Sequence, residues 1–300
     1  QERRYRMKFL TIDIGGTEFK YAYMNEQYEI LERGIMPTFH VGDIDAFEAI
    51  VENLYKKYPL DGISLSIPGV IDATKGFVYV SSLGFMNYPI VESLEKKLNT
   101  TVYVENDGYS GAIAEATIGS LKDCTNAIFL AVGTGIGGGI ILDGKCFKGT
   151  RNLAGNASFM IMNSNPVALS GQACSTGGLC NTYAKLKNID ISSVNGKIIM
   201  ENYRKSEKEA CDALQYTCDE LAKLIFNMQV LFDPEKIAIG GGISKDALFI
   251  ERISQSLKEL GNECMEATLF PSVVISSKFH NDANLYGAFI GLLDKKKGTA

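Results

Sequence analysis

The sequence predicts an α/β protein of two domains, and three observations lead there. The chain has 300 residues, more than the ~250 at which a single hydrophobic core stops growing. Apolar runs of two-residue period alternate with amphipathic helical runs in both halves, the pattern of strands layered with helices. An apolar run, a glycine turn and a second apolar run open the chain, and the same layout returns at about residue 130, which suggests a duplicated unit. A ligand of such a protein would most naturally occupy the cleft between its domains.

Taken in order, "LTIDIGGTEFKYAYM" (10–24) sets Leu10, Ile12 and Ile14 before the glycines and Phe19, Tyr21 and Tyr23 after them, two strands about a turn. Residues 45–58 carry Phe47, Ile50, Val51, Leu54 and Tyr55 at helical spacing, with charges between. "GISLSIPGV" (62–70) alternates as a strand and stops at Pro68-Gly69. "YPIVESLEKKLN" (88–99) is a second amphipathic helix, and "TVYVENDGYSGAIAEATIG" (101–119) turns from strand to alanine-rich helix just after Asn106-Asp107. "AIFLAVGTGIGGGIILDGKCFKG" (127–149) reads as strand, glycine-rich turn and strand, followed by an irregular region over 150–180 rich in Gly, Ser and Asn. A long helix over 207–233 ends near Pro234, with Phe226, Met228 and Phe232 as core or subunit contacts. "KIAIGGGIS" (236–244) is a third strand with a glycine turn, and 281–295 is a closing amphipathic helix.

Composition narrows the function classes. Hydrophobic residues at 46% and charged residues at 22% suit a soluble globular enzyme. A net charge of −5 and a pI of about 5.3 offer no basic surface for nucleic acid, and Lys295-Lys296-Lys297 reads as a solvated tail. Seven scattered cysteines, an odd number, do not resemble a disulfide framework and point to a reducing cytoplasm. No run approaches the ~20 apolar residues of a membrane span. The first residues, "QERRYRMKF", lack the apolar core of a secretory leader, and Met7 is a candidate start. The expectation is a cytoplasmic protein with neither nucleic-acid nor membrane partners.

Asp13 at the end of an apolar strand is costly unless something pairs with it. The glycines beyond it let the backbone turn sharply and bring N–H groups to a ligand; a plain hairpin with Gly-Gly at its turn is the alternative. Two more glycine turns, Gly133 to Gly139 and Gly240-Gly241-Gly242, also follow apolar strands. Three such turns suit the phosphates of a nucleotide. None carries the lysine of the G-x-x-x-x-G-K-[ST] loop. "GTGIGG" fits G-x-G-x-x-G by letters alone, because a strand and not a helix follows it. Asp107 also ends an apolar strand, although Asn106-Asp107 before a helix is equally a good N-cap pair. A carboxylate beside phosphate-holding loops is what phosphoryl transfer to a hydroxyl needs: it takes the hydroxyl proton while loops and Mg²⁺ hold the donor's charge.

"DIGGTEFK", "VENDG", "VGTGIGGGI" and "IAIGGGIS", in this order and spacing, resemble the ROK family of sugar kinases and related repressors over residues 10 to about 290. The resemblance implies a two-domain actin-like ATPase (ribonuclease H-like) fold with a duplicated core unit and an interdomain cleft. Residues 7–110 would form an N-terminal α/β domain with the first phosphate loop and the sugar side. Residues 111–294 would form a C-terminal α/β domain with the second phosphate loop and the adenosine site, leaving the last helix, 281–294, free to pack back on the first. By resemblance, Asp13, Gly15, Gly16 and Thr17 make the first phosphate loop, with Asp13 near Mg²⁺ carried by ATP. Gly133, Thr134, Gly135, Gly137 and Gly138 make the second, Thr134 donating to phosphate, and Gly241 and Gly242 lie beside the adenosine. Asp107 becomes the catalytic base for a sugar 6-hydroxyl and Asn106 bonds neighbouring hydroxyls. Ser66, Pro68 and Gly69 of "SIPGV" match the sugar-side turn, and Asn87 falls where the family often has a sugar-contacting asparagine. ATP and Mg²⁺ are the implied cofactors, a small sugar is the implied partner, and homodimers are frequent in the family.

The departure lies in "LAGNASFMIM". Family members commonly read A-G-E-x-G-H, whose glutamate holds sugar hydroxyls near C1 and C2 and whose histidine ligates a structural zinc. Asn156 and Phe159 stand at those positions, and "ACSTGGLC" retains only Cys174 and Cys180 of the zinc-binding cysteines. Four ligands make a structural site, so no zinc is expected. A hydrogen bond to a charged group contributes about 1.5–3 kcal/mol, roughly ten- to a hundredfold in binding. Without it, either the pocket prefers a sugar modified at C1 or C2, such as a β-glucoside or an N-acetylhexosamine, or activity on free sugars is weak. Asn156 as an ordinary loop residue is the plain alternative. The expected function is an ATP-dependent sugar kinase acting on a hexose 6-hydroxyl; the alternative is a catalytically weakened sugar-binding or regulatory protein. The family's repressors carry a helix-turn-helix ahead of the first loop, for which the twelve residues before Asp13 are too few.

Overall fold

The opening apolar run folds as β1 (Lys8–Ile14), a glycine turn and β2 (Glu18–Asn25) in the computed structural model of the chain, which describes residues 7–164, 166–264 and 273–298. The first six residues, on which the leader reading rests, lie outside the described residues. β3 (Ile30–Pro37), α1 (Ile44–Tyr55), β4 (Ile63–Ile67), β5 (Val70–Asp72), β6 (Phe77–Val80), β7 (Met86–Tyr88), α2 (Ile90–Leu98), β8 (Val102–Asn106) and α3 (Asp107–Thr117) follow. α1 starts where Asp43 accepts the Ala46 N–H (2.9 Å) and turns Phe47, Val51 and Leu54 into the core. α2 ends at Asn99 in the left-handed conformation. The sheet runs β3-β2-β1-β4-β8. β1 is antiparallel to β2 and parallel to β4, which is parallel to β8.

The second half contributes β9 (Ala127–Val132), β10 (Ile136–Leu142), β11 (Lys145–Phe147), β12 (Ile161–Ser164), β13 (Val167–Leu169), α4 (Ser170–Ala173), α5 (Thr176–Lys187), α6 (Gly196–Arg204), α7 (Lys208–Phe232), β14 (Lys236–Gly240), α8 (Ala247–Cys264) and β15 (Val274–Ser276). Its sheet runs β11-β10-β9-β14-β15. β9 is antiparallel to β10 and parallel to β14, and β14 is parallel to β15. Strand for strand this repeats the first sheet, so the duplication expected from the recurring glycine turn is present as topology. α7 stops at Asp233 in the left-handed conformation just before Pro234. Its Met228 is buried, while Phe226 and Phe232 pack partly buried against the same core.

Two expectations are corrected here. Residues 150–180 are not simply irregular: they contain the β12–β13 hairpin, α4 and the start of α5. Ser175 caps α5 by accepting the Gly178 N–H (2.9 Å). Ser-Thr-Gly-Gly is a poor helix sequence by propensity, but a side chain on Gly178 would collide with the Gln172 carbonyl, so packing and not propensity selects it. The closing helix α9 (Ala283–Lys297) is not amphipathic either. Residues 287–293 are buried in succession because α9 packs on β1, β4 and β8, covering the face of β1 that carries Phe9, which meets Phe289 at 5.2 Å between ring centroids. Its last lysines are exposed, as a solvated end implies, and two are also tethered: Lys295 donates to Val102 O (2.8 Å) and Lys296 to Asp61 O (2.6 Å), at the helix end that favours positive charge.

By contact the chain forms two compact units, one within residues 1–114, 148–153 and 282–300, the other within 115–147 and 154–281. All seven cysteines are free thiols. Among the described residues no helix is long and apolar enough to cross a membrane.

Candidate active site

In the first unit the predicted residues gather at the C-terminal ends of three adjacent parallel strands, where open α/β sheets bind ligands. Register sets Asp13 of β1 beside Ser66 of β4, and Ile67 beside Asn106 of β8. Asp13 is buried. Its Oδ1 accepts from Ser66 Oγ (3.0 Å) and Asn284 Nδ2 (3.2 Å), and its Oδ2 faces Lys20 Nζ at 3.8 Å. Burial holds the Asp13 carboxyl above its ordinary range; Lys20 and the two hydrogen bonds oppose that, and the charge of Asp282 adds to it. The pairing demanded of a buried strand-end carboxylate is therefore supplied from three elements. The turn carrying Gly15, Gly16 and Thr17 is both a hairpin turn and a bank of backbone amides: Gly15 donates to Glu18 O (2.8 Å), and Gly16 and Thr17 are exposed.

Asn106, not Asp107, caps α3. Its Oδ1 accepts the Tyr109 N–H (3.0 Å), and its Nδ2 donates to Gly69 O (2.9 Å) and to Asp107 Oδ1 (3.0 Å). Asp107 is the first residue of α3, and its Oδ1 also accepts the Gly108 N–H (2.9 Å). The Asp107 amide itself also hydrogen-bonds the carboxyl. Burial, and then the charge of Asp13, push the Asp107 carboxyl up to about 6 against those hydrogen bonds. Gly69 has φ +135°, and any side chain there would collide with the Val80 carbonyl. Ser81 Oγ donates to Pro68 O (2.5 Å), so the Pro68-Gly69 turn is held on both sides. Asn87 stays outside this network, exposed on β7 with φ +48°.

In the second unit Gly133 donates to Gly135 O (2.9 Å) to close the β9–β10 turn, which includes Thr134 and leads into Gly137 and Gly138 of β10. The first turn of α5 closes over it: Ser175 Oγ donates to Thr134 O (3.0 Å), Thr176 Oγ1 to Val132 O (3.3 Å) and Gly177 N–H to Gly133 O (3.3 Å). A helix N-terminus beside a glycine turn favours anions. Gly241, with φ +86°, packs so closely on the end of β9 that a side chain would strike Val132 O, and Gly242 lies beside the Asn281 amide. Asn156 is half-buried and begins a single 3-10 turn without capping it, and Phe159 at the end of that turn is 67% exposed. The Cys174 thiol donates to Ser170 O (3.1 Å), and burial pushes it up to about 12. Among the described residues no three His, Cys, Asp or Glu side chains are placed to hold a metal ion.

Sequence reasoning missed Lys20, Asn284, the α5 N-terminus and the fully buried Glu105, which pairs with Lys148 (2.6 Å). Lys20 had a usable signal: a hairpin closing at Ile14 and Phe19 sets residue 20 opposite Asp13. The others are joined to their partners only by the fold.

A family model described as the ROK family matches residues 9–295. An uncharacterized protein of Clostridium perfringens is 30% identical over 289 residues, 94% of this chain and 96% of that protein. A beta-glucoside kinase of Listeria monocytogenes is 26% identical over 300 residues, 97% of this chain and 99% of that protein. Among solved structures, a ROK family protein of Streptococcus pneumoniae in complex with sucrose matches with a TM-score of 0.86 at 26% identity, covering 97% of this chain and 100% of that one. The fold is the actin-like ATPase fold that the motifs implied.

Proposed function

The chain belongs to the ROK family, and from that premise we propose that it is a carbohydrate kinase that transfers the γ-phosphoryl group of ATP to the 6-hydroxyl of a hexose or hexose derivative. The observation that carries this reading is Asp107: a strand-end carboxyl raised to about 6, with Oδ1 fixed by Asn106 and Gly108. A base with a pKa near the working pH is matched to taking a proton from a hydroxyl.

The hydroxyl oxygen attacks the γ-phosphorus in line, its proton passes to Asp107 Oδ2, and the bond from the γ-phosphorus to the bridging oxygen breaks to release ADP. Asp13, with Oδ1 spent on Ser66 and Asn284 and Oδ2 near Lys20, would be the carboxylate that holds Mg²⁺ carried by ATP, a hard cation that takes oxygen ligands and would offset the phosphate charge. The turn that Gly15 closes offers Gly16 and Thr17 to the phosphates, and the turn that Gly133 closes ahead of Gly137 and Gly138 offers Thr134 and Gly135. Gly241 and Gly242 receive the adenosine. In the first unit Asn106, the Pro68-Gly69 turn and Asn87 are read as sugar contacts, with Ser66 behind them holding Asp13, and in the second unit Asn156 is read as one more. Asn156 in place of a carboxylate favours a sugar substituted at C1 or C2, and the names of relatives support such acceptors: one is a beta-glucoside kinase, another an N-acetylmannosamine kinase. The chain is read as a cytoplasmic enzyme without structural zinc.

A coupled ADP-release assay with Mg²⁺-ATP against glucose, mannose, fructose, N-acetylglucosamine, N-acetylmannosamine, cellobiose and an aryl β-glucoside tests this, with Asp107→Asn as control. The expected result is turnover on at least one sugar and a loss of about 10²–10⁴ in kcat in the control, with sugar affinity held within about tenfold. No turnover on any sugar while ATP still binds would transfer the assignment to a sugar-binding regulatory protein.

A further inference from the structure

Beneath Asn106 and Asp107 lies a closed ring of hydrogen bonds. Lys148 Nζ donates to Glu105 Oε2 (2.6 Å), and Glu105 Oε1 accepts the Asn106 N–H (3.0 Å). Asn106 Oδ1 accepts the Tyr109 N–H (3.0 Å), and the Tyr109 hydroxyl makes a long contact back to Lys148 O (3.4 Å). The Tyr103 hydroxyl adds a third donor to Glu105 (2.7 Å). Glu105 has no exposed surface, and the Lys148 side chain is 28% exposed. Among the described residues Lys148 is the only cation paired with Glu105. Lys148 opens a six-residue stretch, 148–153, that groups with the first unit although the residues before and after it group with the second.

We propose that Lys148 is a positioning residue, the clamp that holds Asn106 and Asp107 in their reactive setting through Glu105; the catalytic meaning of that setting rests on the function proposed above. The Asn106 side chain does three things at once: it caps α3, grips Gly69 O and orients Asp107 Oδ1. All three require the 105–106 backbone to stay in place. Without Lys148 Nζ the side chain of residue 105 loses the donor that fixes its Oε2, and when that side chain shifts, charged or neutral, it takes the Asn106 N–H with it. Lys148 touches no reacting atom; it acts through Glu105 and Asn106.

A purely charge-balancing role is separable from this one. Lys148→Met leaves an unpaired buried charge, whereas Lys148→Met with Glu105→Gln leaves none, and the Gln amide oxygen still accepts the Asn106 N–H. Three variants, these two and Lys148→Arg, are compared by kcat, sugar KM, thermal midpoint and amide exchange over residues 104–110. The clamp predicts that Lys148→Met lowers kcat by about 10–100-fold with a smaller rise in sugar KM, within about tenfold, as Asn106 shifts, and that Lys148→Arg recovers part of both losses. The double variant regains the thermal midpoint but not kcat. Exchange at Asn106 and Tyr109 quickens by about tenfold or more in Lys148→Met and in the double variant. Parent-like kcat and exchange in the double variant would overturn the clamp. Exchange needs no turnover: if the parent phosphorylates no sugar, the proposed function falls, while faster exchange in the variants sustains the clamp and unchanged exchange removes it.

Discussion

The hairpin β1–β2 in the first unit and β9–β10 in the second occupy the same place in sheets of the same strand order, yet their ends are chemically opposite. One position in from the closing pair, Asp13 faces Lys20 in the first and Ala131 faces Gly137 in the second. Across to the parallel neighbour, Asp13 meets Ser66 and Ala131 meets Gly240. Three registered positions thus read Asp, Lys, Ser in one unit and Ala, Gly, Gly in the other. The frame decides where a strand end lies; those side chains decide whether it presents a charge or bare backbone. The first choice costs burial of a carboxylate, offset by Lys20, Ser66 and Asn284. The second carries no such cost and leaves a bare backbone turn, with the first turn of α5 bonded over it.

Exchanging the two chemistries gives the largest expected effect. On the proposed function, Asp13→Asn should cut kcat by about a hundredfold or more, because the transferring phosphoryl group would lose the cation proposed to sit at Asp13, while ADP still binds. Ala131→Asp should do the reverse, weakening ADP by about tenfold or more, ~1.4 kcal/mol, by setting a carboxylate beside the proposed phosphate turn. Calorimetric titration with ADP checks both; equal losses in the two variants would break the comparison. Next in size, Asn156→Glu restores a charged acceptor and should raise kcat/KM for a free hexose by roughly ten- to a hundredfold, read against a glycoside in the same assay.

The pH profile sharpens the contrast further, since the first unit holds Asp13 and Asp107 together. Asp107 must be ionised to accept a proton, so kcat/KM should fall about tenfold per pH unit below about 6, measured from pH 5 to 8. The smallest effect is on stability. The folded carboxyl titrates near 6 and its ordinary value is 3.8, so the folded state binds the proton more tightly. Ionisation then costs nothing below about pH 4, a growing amount between 4 and 6, and its full amount above 6. Asp107→Asn, inactive, should therefore raise the thermal midpoint by about 2–4 °C at pH 8, a gain that vanishes as the pH is lowered to 4. A gain independent of pH would assign it to packing.

The sequence by itself determined what local rules govern. Strand ends at Asp13 and Asn106 followed from two-residue alternation stopped by glycine or by an amide cap. The stop at Asp233 followed from the approaching proline, and the doubled plan from one layout occurring twice. Each depends on neighbours within a few residues, where backbone sterics and periodic burial act. Tertiary structure alone decided the rest. The seven buried residues in succession on α9, the lysines at its end turned to Val102 and Asp61, and the α5 N-terminus over the Gly133 turn have no local signature. Asn284 reaches Asp13 across 271 positions and Lys148 reaches Glu105 across 43. A carboxyl's partner and its hold on a proton are set by what surrounds it in space, and which strands lie side by side is settled only when the whole sheet has formed.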